Sequence, residues 1–310
     1  MNATGDQHTY FAFAHAPPVA SPSGGGLGEM PETLAGRYRL EGLIGVGGMG
    51  VVYRARDLLH EQYGDSDPYI AVKMLSESLS ESCDASTLLY SEFALTRRLL
   101  HPGVLRPYTF EVDARHQRAF ITMELMRGLT LDRLLCERPL GLPWPEWRTL
   151  ATPLLDALAY AHGRGVLHGD LKPSNVMLSD EGVRLFDFGL GLAVEGPLRQ
   201  LANLDRSRLN AWTPGYAAPE LLEGGPLSAR ADVYSVACVL YETASGRHPF
   251  RRLTSIQARD AGLDRHLKAP GNLPRRCWPA LRLSLAFDPS LRDITAAQLR
   301  DALSGARTWW

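Results

Sequence analysis

The chain has 310 residues, 45% of them apolar and 22% charged, with a formal net charge of −1. That length holds one large two-lobed domain or two ordinary ones, and the balanced charge speaks against a nucleic-acid-binding surface or a polybasic membrane patch. Four scattered cysteines (Cys83, Cys136, Cys238, Cys277) form no CxxC pair, which argues against a disulfide framework or zinc site and for a reducing cytoplasm.

No apolar run reaches the roughly 18–20 residues that cross a bilayer, and the N-terminus lacks the basic and apolar regions of a secretory signal. Residues 1–36 contain no Lys or Arg and are rich in Ala, Pro, Gly and Ser. Such a stretch buries too little to offset the entropy of ordering, so it is predicted to be a flexible tail, with order beginning at Arg37. Its aromatic residues Tyr10, Phe11 and Phe13 are the exception that could dock.

Leu43-Ile44, then Gly45-Val46-Gly47-Gly48-Met49-Gly50, then Val51-Val52-Tyr53-Arg54 read as strand, glycine-rich turn and returning strand. Glycines let backbone N–H groups approach an anion closely. A dinucleotide fold uses the same spacing but needs a helix directly after the glycines. Here β-branched and aromatic residues follow, which favour a hairpin over a nucleotide. Residues 60–69 read as a polar loop.

Tyr69 to Leu75 is a predicted strand with one Lys, Lys73, in an apolar run. The spacing of Leu88, Leu89, Phe93, Leu99 and Leu100 predicts a helix from Ser86 to Leu100, ended by His101-Pro102-Gly103. Glu92 falls in register with the apolar stripe, where a carboxylate requires a partner, and Lys73 is the candidate. Residues 104–126 read as two strands with a turn at Asp113 to His116, and Gly128 breaks the strand-rich first part from a helix-rich second part.

Beyond it, Trp147, Leu150, Leu154, Leu158 and Ala161 repeat on one helical face, with Pro153 predicted to kink or break the pattern. His168-Gly169-Asp170-Leu171-Lys172-Pro173-Ser174-Asn175 then places an acid, a cation and an amide at fixed offsets in a loop, and Asp187-Phe188-Gly189 follows. Such a set suits metal-assisted phosphoryl transfer: Asp170 to orient a hydroxyl, Lys172 to stabilise phosphate charge, Asn175 and Asp187 as oxygen ligands of the kind magnesium prefers. Residues 190–217 show no period. Asp232 to Gly246 is apolar on nearly every side and reads as a buried helix. Thr295 to Leu303 is a short final helix capped by Thr295. Trp309 and Trp310 read as packing or end residues.

Taken together, these motifs resemble the bacterial eukaryotic-like (Hanks-type) serine/threonine protein kinases over Gly45 to Arg292. The glycine loop, Ala71-Val72-Lys73, Glu92, the Asp170 loop, Asp187-Phe188-Gly189, Ala218-Pro219-Glu220 and Asp232-Val233-Tyr234-Ser235 occur in the family's order. The resemblance implies an α+β bilobal fold: an antiparallel-sheet lobe over about 37–123, a hinge at about 124–128, a mostly helical lobe over about 129–305, and an end at 306–310. It implies ATP with Mg2+ (Mn2+ as the alternative ion) and protein substrates. Lys73 would hold the α- and β-phosphates and pair with Glu92. The loop glycines Gly45, Gly47, Gly48 and Gly50, with Ile44, would cover the nucleotide. Val52, Ala71 and Met177 would sandwich adenine, with Met123 as gatekeeper and backbone groups of Glu124 and Met126 on its edge. Asp170 would take the substrate hydroxyl's proton, Asn175 and Asp187 would hold the metal, and Lys172 marks the serine/threonine form of the loop. Thr213 would hold Asp170 and Lys172, Glu220 would pair with Arg292, and Asp232 would brace the loop backbone.

The chain departs from the family pattern at four positions. Gly169 stands where an Arg usually receives a phosphate on the activation segment, and Ser207 is the sole hydroxyl candidate between Gly189 and Thr213. The expectation is activity without phosphorylation of that segment. Trp212 replaces a usual Gly, Ala237 replaces a common Gly in the buried helix, and Thr96 stands where an aliphatic residue is usual and is expected to loosen its helix. Two other readings are a catalytically silent scaffold that binds nucleotide, and a small-molecule kinase of the aminoglycoside or choline type. The intact catalytic set argues against the first; Lys172 and Ala218-Pro219-Glu220 argue against the second. With neither a membrane span nor a sensor region after the matched stretch, the input is expected from a partner, the tail or the genetic context.

Overall fold

A computed structural model describes residues 10–11, 31–47, 50–75, 85–189, 191–194 and 212–304. The chain divides into two compact units, Met1–Arg97 with Leu105–Gly128, and Arg98–Val104 with Leu129–Trp310.

The first unit is an antiparallel sheet. Its strands are β1 (Tyr10–Phe11), β2 (Thr33–Leu34), β3 (Tyr38–Val46), β4 (Gly50–Asp57), β5 (Tyr69–Leu75), β6 (Pro107–Asp113) and β7 (Arg118–Glu124), ordered β1-β3-β4-β5-β7-β6 with β2 also on β3. Alternation along β5 sends Ile70, Val72 and Met74 into a cluster with Leu34, Tyr38, Tyr53, Ala55 and Phe120, leaving Ala71 and Lys73 to the other face. The short helix α1 (Leu58–Gln62), capped by the Asp57 side chain, occupies part of the stretch predicted as a polar loop.

Helix α2 (Ala85–Arg97) is shorter than predicted. Leu99 is buried beyond its end and Leu100 is exposed, so the apolar spacing outran the helix. The Thr96 hydroxyl is buried and donates to the Glu92 carbonyl at 2.8 Å, so its polar group is satisfied within its own turn, by a back-bond of the kind that weakens a helix slightly.

Order also starts earlier than Arg37. Thr33 and Leu34 pair with Arg39 and Tyr38, Leu34 is fully buried, and the Ala35 amide donates to Asp113 Oδ2 at 2.7 Å. Tyr10 and Phe11 pair with Val46 and Gly45; the rest of the predicted tail, Phe13 included, lies outside the described residues. So do Trp309 and Trp310.

After the short strand β8 (Gly128–Thr130), the second unit is mainly helical: α3 (Leu131–Glu137), α4 (Trp144–Gly163), α5 (Pro219–Leu222), α6 (Ala229–Ser245), α7 (Ser255–Asp260), α8 (Trp278–Ser284) and α9 (Ala296–Ser304). Pro153 neither breaks nor ends α4. Thr149, whose carbonyl the proline leaves without an amide donor, is an exposed residue. Helix α6 is buried nearly all round, as its composition predicts. It begins three residues before Asp232 with a Ser228 cap and ends at Gly246 in the left-handed conformation. Trp147 Nε1 donates to the Leu240 carbonyl at 3.0 Å, fastening α4 to α6. Thr295 caps α9 reciprocally with Gln298, at 3.2 and 2.8 Å. Among the described residues no helix is long and apolar enough to cross a membrane.

Between α4 and α5 the chain makes the strands that carry the site. Strand β9 (Val166–Leu167) pairs with β12 (Leu192–Ala193), and β10 (Val176–Ser179) forms a hairpin with β11 (Gly182–Leu185). Residues 168–175 and 186–189 are the segments joining them. Residues 98–104 belong to this unit because Leu185 N donates to the Gly103 carbonyl at 2.8 Å.

Candidate active site

In the first unit, β5 places Lys73 opposite Val52 and Ile121, and α2 carries Glu92 to it. Lys73 Nζ donates to both carboxylate oxygens of Glu92, at 2.6 and 2.7 Å, with the residues 7% and 9% exposed. Two charges this dry are held by each other, and removing one strands the other. The glycine turn closes on itself: the Gly47 amide donates to the Gly50 carbonyl at 2.8 Å and the Gly50 amide returns to Gly47 at 3.3 Å. A Cβ on Gly50 would lie 2.3 Å from the Met74 carbonyl oxygen, so a side chain there would force the hairpin off β5. Gly48, between them, lies outside the described residues. Ile44, Val52, Ala71, Met123 and Met126 are all buried, and Gly45 pairs with Val52. The Glu124 amide donates to the Arg106 carbonyl at 3.0 Å.

In the second unit, the loop after β9 is held from below by Asp232, near the start of α6. Asp232 Oδ2 accepts from the His168 amide at 2.8 Å, and Oδ1 accepts from the Gly169 amide at 2.9 Å. His162 Nε2 lies 2.9 Å from Oδ2. Burial alone would push the Asp232 carboxyl up; the hydrogen bond and charge of His162 and the Gly169 amide outweigh it and hold the group below the ordinary range. His168 is fully buried, and burial drives its pKa down against the pull of Asp232. The neutral ring uses both nitrogens: Nε2–H donates to the Phe186 carbonyl at 3.0 Å and Nδ1 accepts from the Asp170 amide at 3.2 Å. Gly169 takes a φ of +84°, a conformation in which an arginine would be strained.

That scaffold presents a closed polar triangle. Asp170 Oδ2 meets Lys172 Nζ at 2.7 Å, Asp170 Oδ1 accepts from Thr213 Oγ1 at 2.7 Å, and Lys172 Nζ donates to the same hydroxyl at 3.1 Å. Asn175 Nδ2 donates to the Asp170 carbonyl at 2.8 Å. This fixes the amide so that its Oδ1 is buried with no partner among the described residues. A buried, oriented carbonyl oxygen left open is what an oxygen-preferring divalent cation takes, so the residues present fit such an ion. Asp187 follows β11 with a φ of +66°, a backbone state that non-glycine residues keep only where the surroundings impose it. Phe188 is buried against the His168 ring, centroids 4.6 Å apart.

Further along, Glu220 Oε1 accepts from Arg292 at 2.7 Å. Arg292 also donates to the Ala286, Phe287 and Arg230 carbonyls. Met177 is buried in β10, and Ser207 lies outside the described residues. Sequence reasoning missed two groups. One is His162, whose only signal was a histidine at a helix end. The other is Glu242, bonded to the Tyr216 hydroxyl and to Arg252; a lone carboxylate in an otherwise apolar helix was the signal.

Comparison with known proteins agrees with this geometry. The protein kinase domain family matches residues 38–300. The DNA damage-responsive serine/threonine-protein kinase RqkA of Deinococcus radiodurans is 39% identical over 219 residues, 70% of this chain and 31% of that protein. Serine/threonine-protein kinase PkaA of Streptomyces coelicolor is 31% identical over 272 residues, 84% of this chain and 48% of that one. The chain thus spans less than half the length of these two curated relatives. The solved kinase domain of Mycobacterium tuberculosis PknI superposes with a TM-score of 0.63 at 26% identity, covering 88% of this chain and 97% of that structure.

Proposed function

Because the chain belongs to the protein kinase domain family, we propose that it is a bacterial ATP-dependent protein serine/threonine kinase, working in the cytoplasm on protein substrates, with no nucleic-acid or membrane partner. The family uses ATP and a divalent metal. The observation that carries the reading is the triangle of Asp170, Lys172 and Thr213, with Asn175 locked beside it.

In this reading each unit contributes its own groups. Lys73, held by both Glu92 oxygens, presents its ammonium to the α- and β-phosphates of ATP. Gly50 keeps the glycine hairpin close over β5 for want of a Cβ. Val52, Ala71 and Met123 supply apolar surface for adenine, with backbone groups of Glu124 and Met126 at its edge. Asp170 orients the acceptor hydroxyl and takes its proton as the hydroxyl oxygen bonds to the γ-phosphorus and the bond to the β-phosphate oxygen breaks. Lys172 and Thr213 fix the Asp170 carboxylate, and Lys172 offsets charge on the phosphoryl in flight. Asn175 Oδ1 and the Asp187 carboxylate would hold the magnesium ion (manganese being the alternative), which when bound would draw charge from the phosphate oxygens. Positioning and charge do most of the work, since phosphoryl transfer asks little covalent chemistry of the protein.

We also read the kinase as independent of activation-segment phosphorylation. Gly169 offers no cation, and the loop is braced instead by Asp232, His168 and Thr213. Phosphatase-treated protein and a Ser207→Ala variant should keep their turnover; loss of most of it in either would overturn this part.

The principal test is transfer of labelled γ-phosphate from ATP to the protein itself or to peptide substrates, with and without magnesium. Asp170→Ala and Asp187→Ala should each remove nearly all transfer while remaining folded by circular dichroism. Transfer only to an alcohol or antibiotic, or undiminished transfer in a folded Asp187→Ala protein, would sink the assignment.

A further inference from the structure

The turn after α6, residues 247–252, holds three arginines in six positions and lies against the segment that carries Thr213. A Cβ placed on Gly215 would lie 3.9 Å from the Arg252 carbonyl oxygen, 3.9 Å from His248 Nε2 and 4.0 Å from the Arg252 Cα, so the turn packs directly on that residue. Arg251 and Arg252 have φ values of +54° and +58°, the one consecutive pair of non-glycine residues with positive φ among the described residues. Glycine or asparagine would fit that backbone at less cost, yet two long cations occupy it. His248 props the turn by accepting the Phe250 and Arg252 amides on Nδ1, at 3.2 and 3.1 Å.

The three arginines are committed differently. Arg252 donates to Glu242 Oε1 at 2.9 Å, although its side chain is 65% exposed. The other oxygen of Glu242 takes the Tyr216 hydroxyl. The one carboxylate bonded to this turn among the described residues is therefore buried and fully occupied, and it offers no negative charge to a substrate. Arg247 and Arg251 are exposed, and neither side chain has a hydrogen bond or ion pair among the described residues. The surface beside the substrate segment is thus cationic, with two uncommitted guanidinium groups suited to carboxylates.

Distance decides whether a substrate reaches it. Thr213 bonds Asp170 at 2.7 Å, and two residues of chain, about 7 Å at most, separate Thr213 from Gly215. The arginine turn therefore lies on the order of 15 Å from the phosphoryl-transfer carboxylate, a span that about four extended peptide residues cover.

The geometry points to Arg247 and Arg251 as specificity-determining residues that select protein substrates carrying acidic side chains within a few residues of the phosphorylated Ser or Thr. The inference rests on the protein kinase reading and names its substrate class. It runs against the use of basic proteins as generic acceptors.

The test uses the full chain with two peptides sharing one central Ser-containing sequence, flanked by Glu in one and Lys in the other. The Glu peptide should be phosphorylated with a kcat/KM at least about tenfold higher, a gap that narrows as salt rises from 50 to about 300 mM. An Arg247→Glu/Arg251→Glu double variant should lose the preference through KM rather than kcat. Binding of the same peptides, fluorescently labelled, needs no turnover and should follow the same order. A Lys peptide preferred or equal in binding, or a preference intact in the double variant, overturns the inference. Charge-ordered binding without phosphorylation of any acceptor would overturn the kinase reading while upholding the cationic surface.

Discussion

At the scale of single residues, the Lys73–Glu92 pair shows how chemistry and stability are tied. A charge on a mid-sheet strand and a charge on the inner face of a helix would each be costly to bury alone, and together they hold a bidentate contact at 2.6 and 2.7 Å. Lys73→Met should therefore do two separable things. On the proposed function it removes the ammonium that would hold the ATP phosphates, so turnover should fall by at least about 100-fold. It also leaves Glu92 buried without its counter-charge, costing about 3 kcal/mol of stability, a loss that adding Glu92→Gln should largely reverse. Urea unfolding of the single and double variants checks the second effect. Additive losses would mean that the pair is not coupled as its geometry indicates.

At the scale of elements, the segment from Thr213 to Glu220 is held at both ends. Thr213 bonds Asp170, and Glu220, in α5, bonds Arg292, a guanidinium with 0% exposure. Arg292 spreads its remaining donors over three backbone carbonyls, so it serves as a hub joining α5, α6 and the 286–293 turn. Glu220→Ala leaves that cation buried with only neutral acceptors. It should cost about 3 kcal/mol in urea unfolding and loosen the segment from Thr213 to Glu220, which on the proposed function should raise peptide KM more than ATP KM. A change in ATP KM alone would contradict the placement.

What the sequence made legible at this scale follows from the kind of signal. Elements with a strong period or composition were readable: the glycine hairpin, β5, α4 and the buried α6, along with the motif residues that cluster around Asp170. Elements whose stability comes from neighbours far along the chain were not. Strands β9 and β12 have two residues each, too few for any alternation, and they exist because residues 166–167 and 192–193 meet. The end of α2 was overshot because Leu99 is buried outside the helix, and Leu34 was assigned to the tail because its partners arrive from β3 to β7. His162 was missed for the same reason: it reaches the buried Asp232 on α6 from the far end of α4.

At the scale of the whole molecule, buried histidines should set the acid side of the stability curve. His248 is pushed down to about 4, first by burial and further by the neighbouring Arg252 charge, with the Gly215 backbone opposing in part. An unfolded histidine titrates near 6.5. Between those values the unfolded chain binds a proton that the folded chain refuses, so stability is full above about 6.5 and falls as the pH drops towards 4. The interval corresponds to roughly 3 kcal/mol. His168, also lowered by burial, acts in the same sense. Glu242, raised by burial, acts in the opposite sense, favouring the fold at low pH. The lowered carboxyls come later: Asp232 below its usual range, and Asp113 only as the pH falls through about 2. His168, His248, Glu242 and Asp232 all belong to the second unit, as do the four tryptophans among the described residues, Trp144, Trp147, Trp212 and Trp278. Tryptophan fluorescence should therefore report a urea midpoint that declines between pH 6.5 and 4. In His248→Asn, whose amide oxygen can still accept the Phe250 and Arg252 amides, the decline should shrink by about one proton's slope, near 1.4 kcal/mol per pH unit. Equal slopes in the two proteins would assign the acid sensitivity elsewhere and leave His168 as its source.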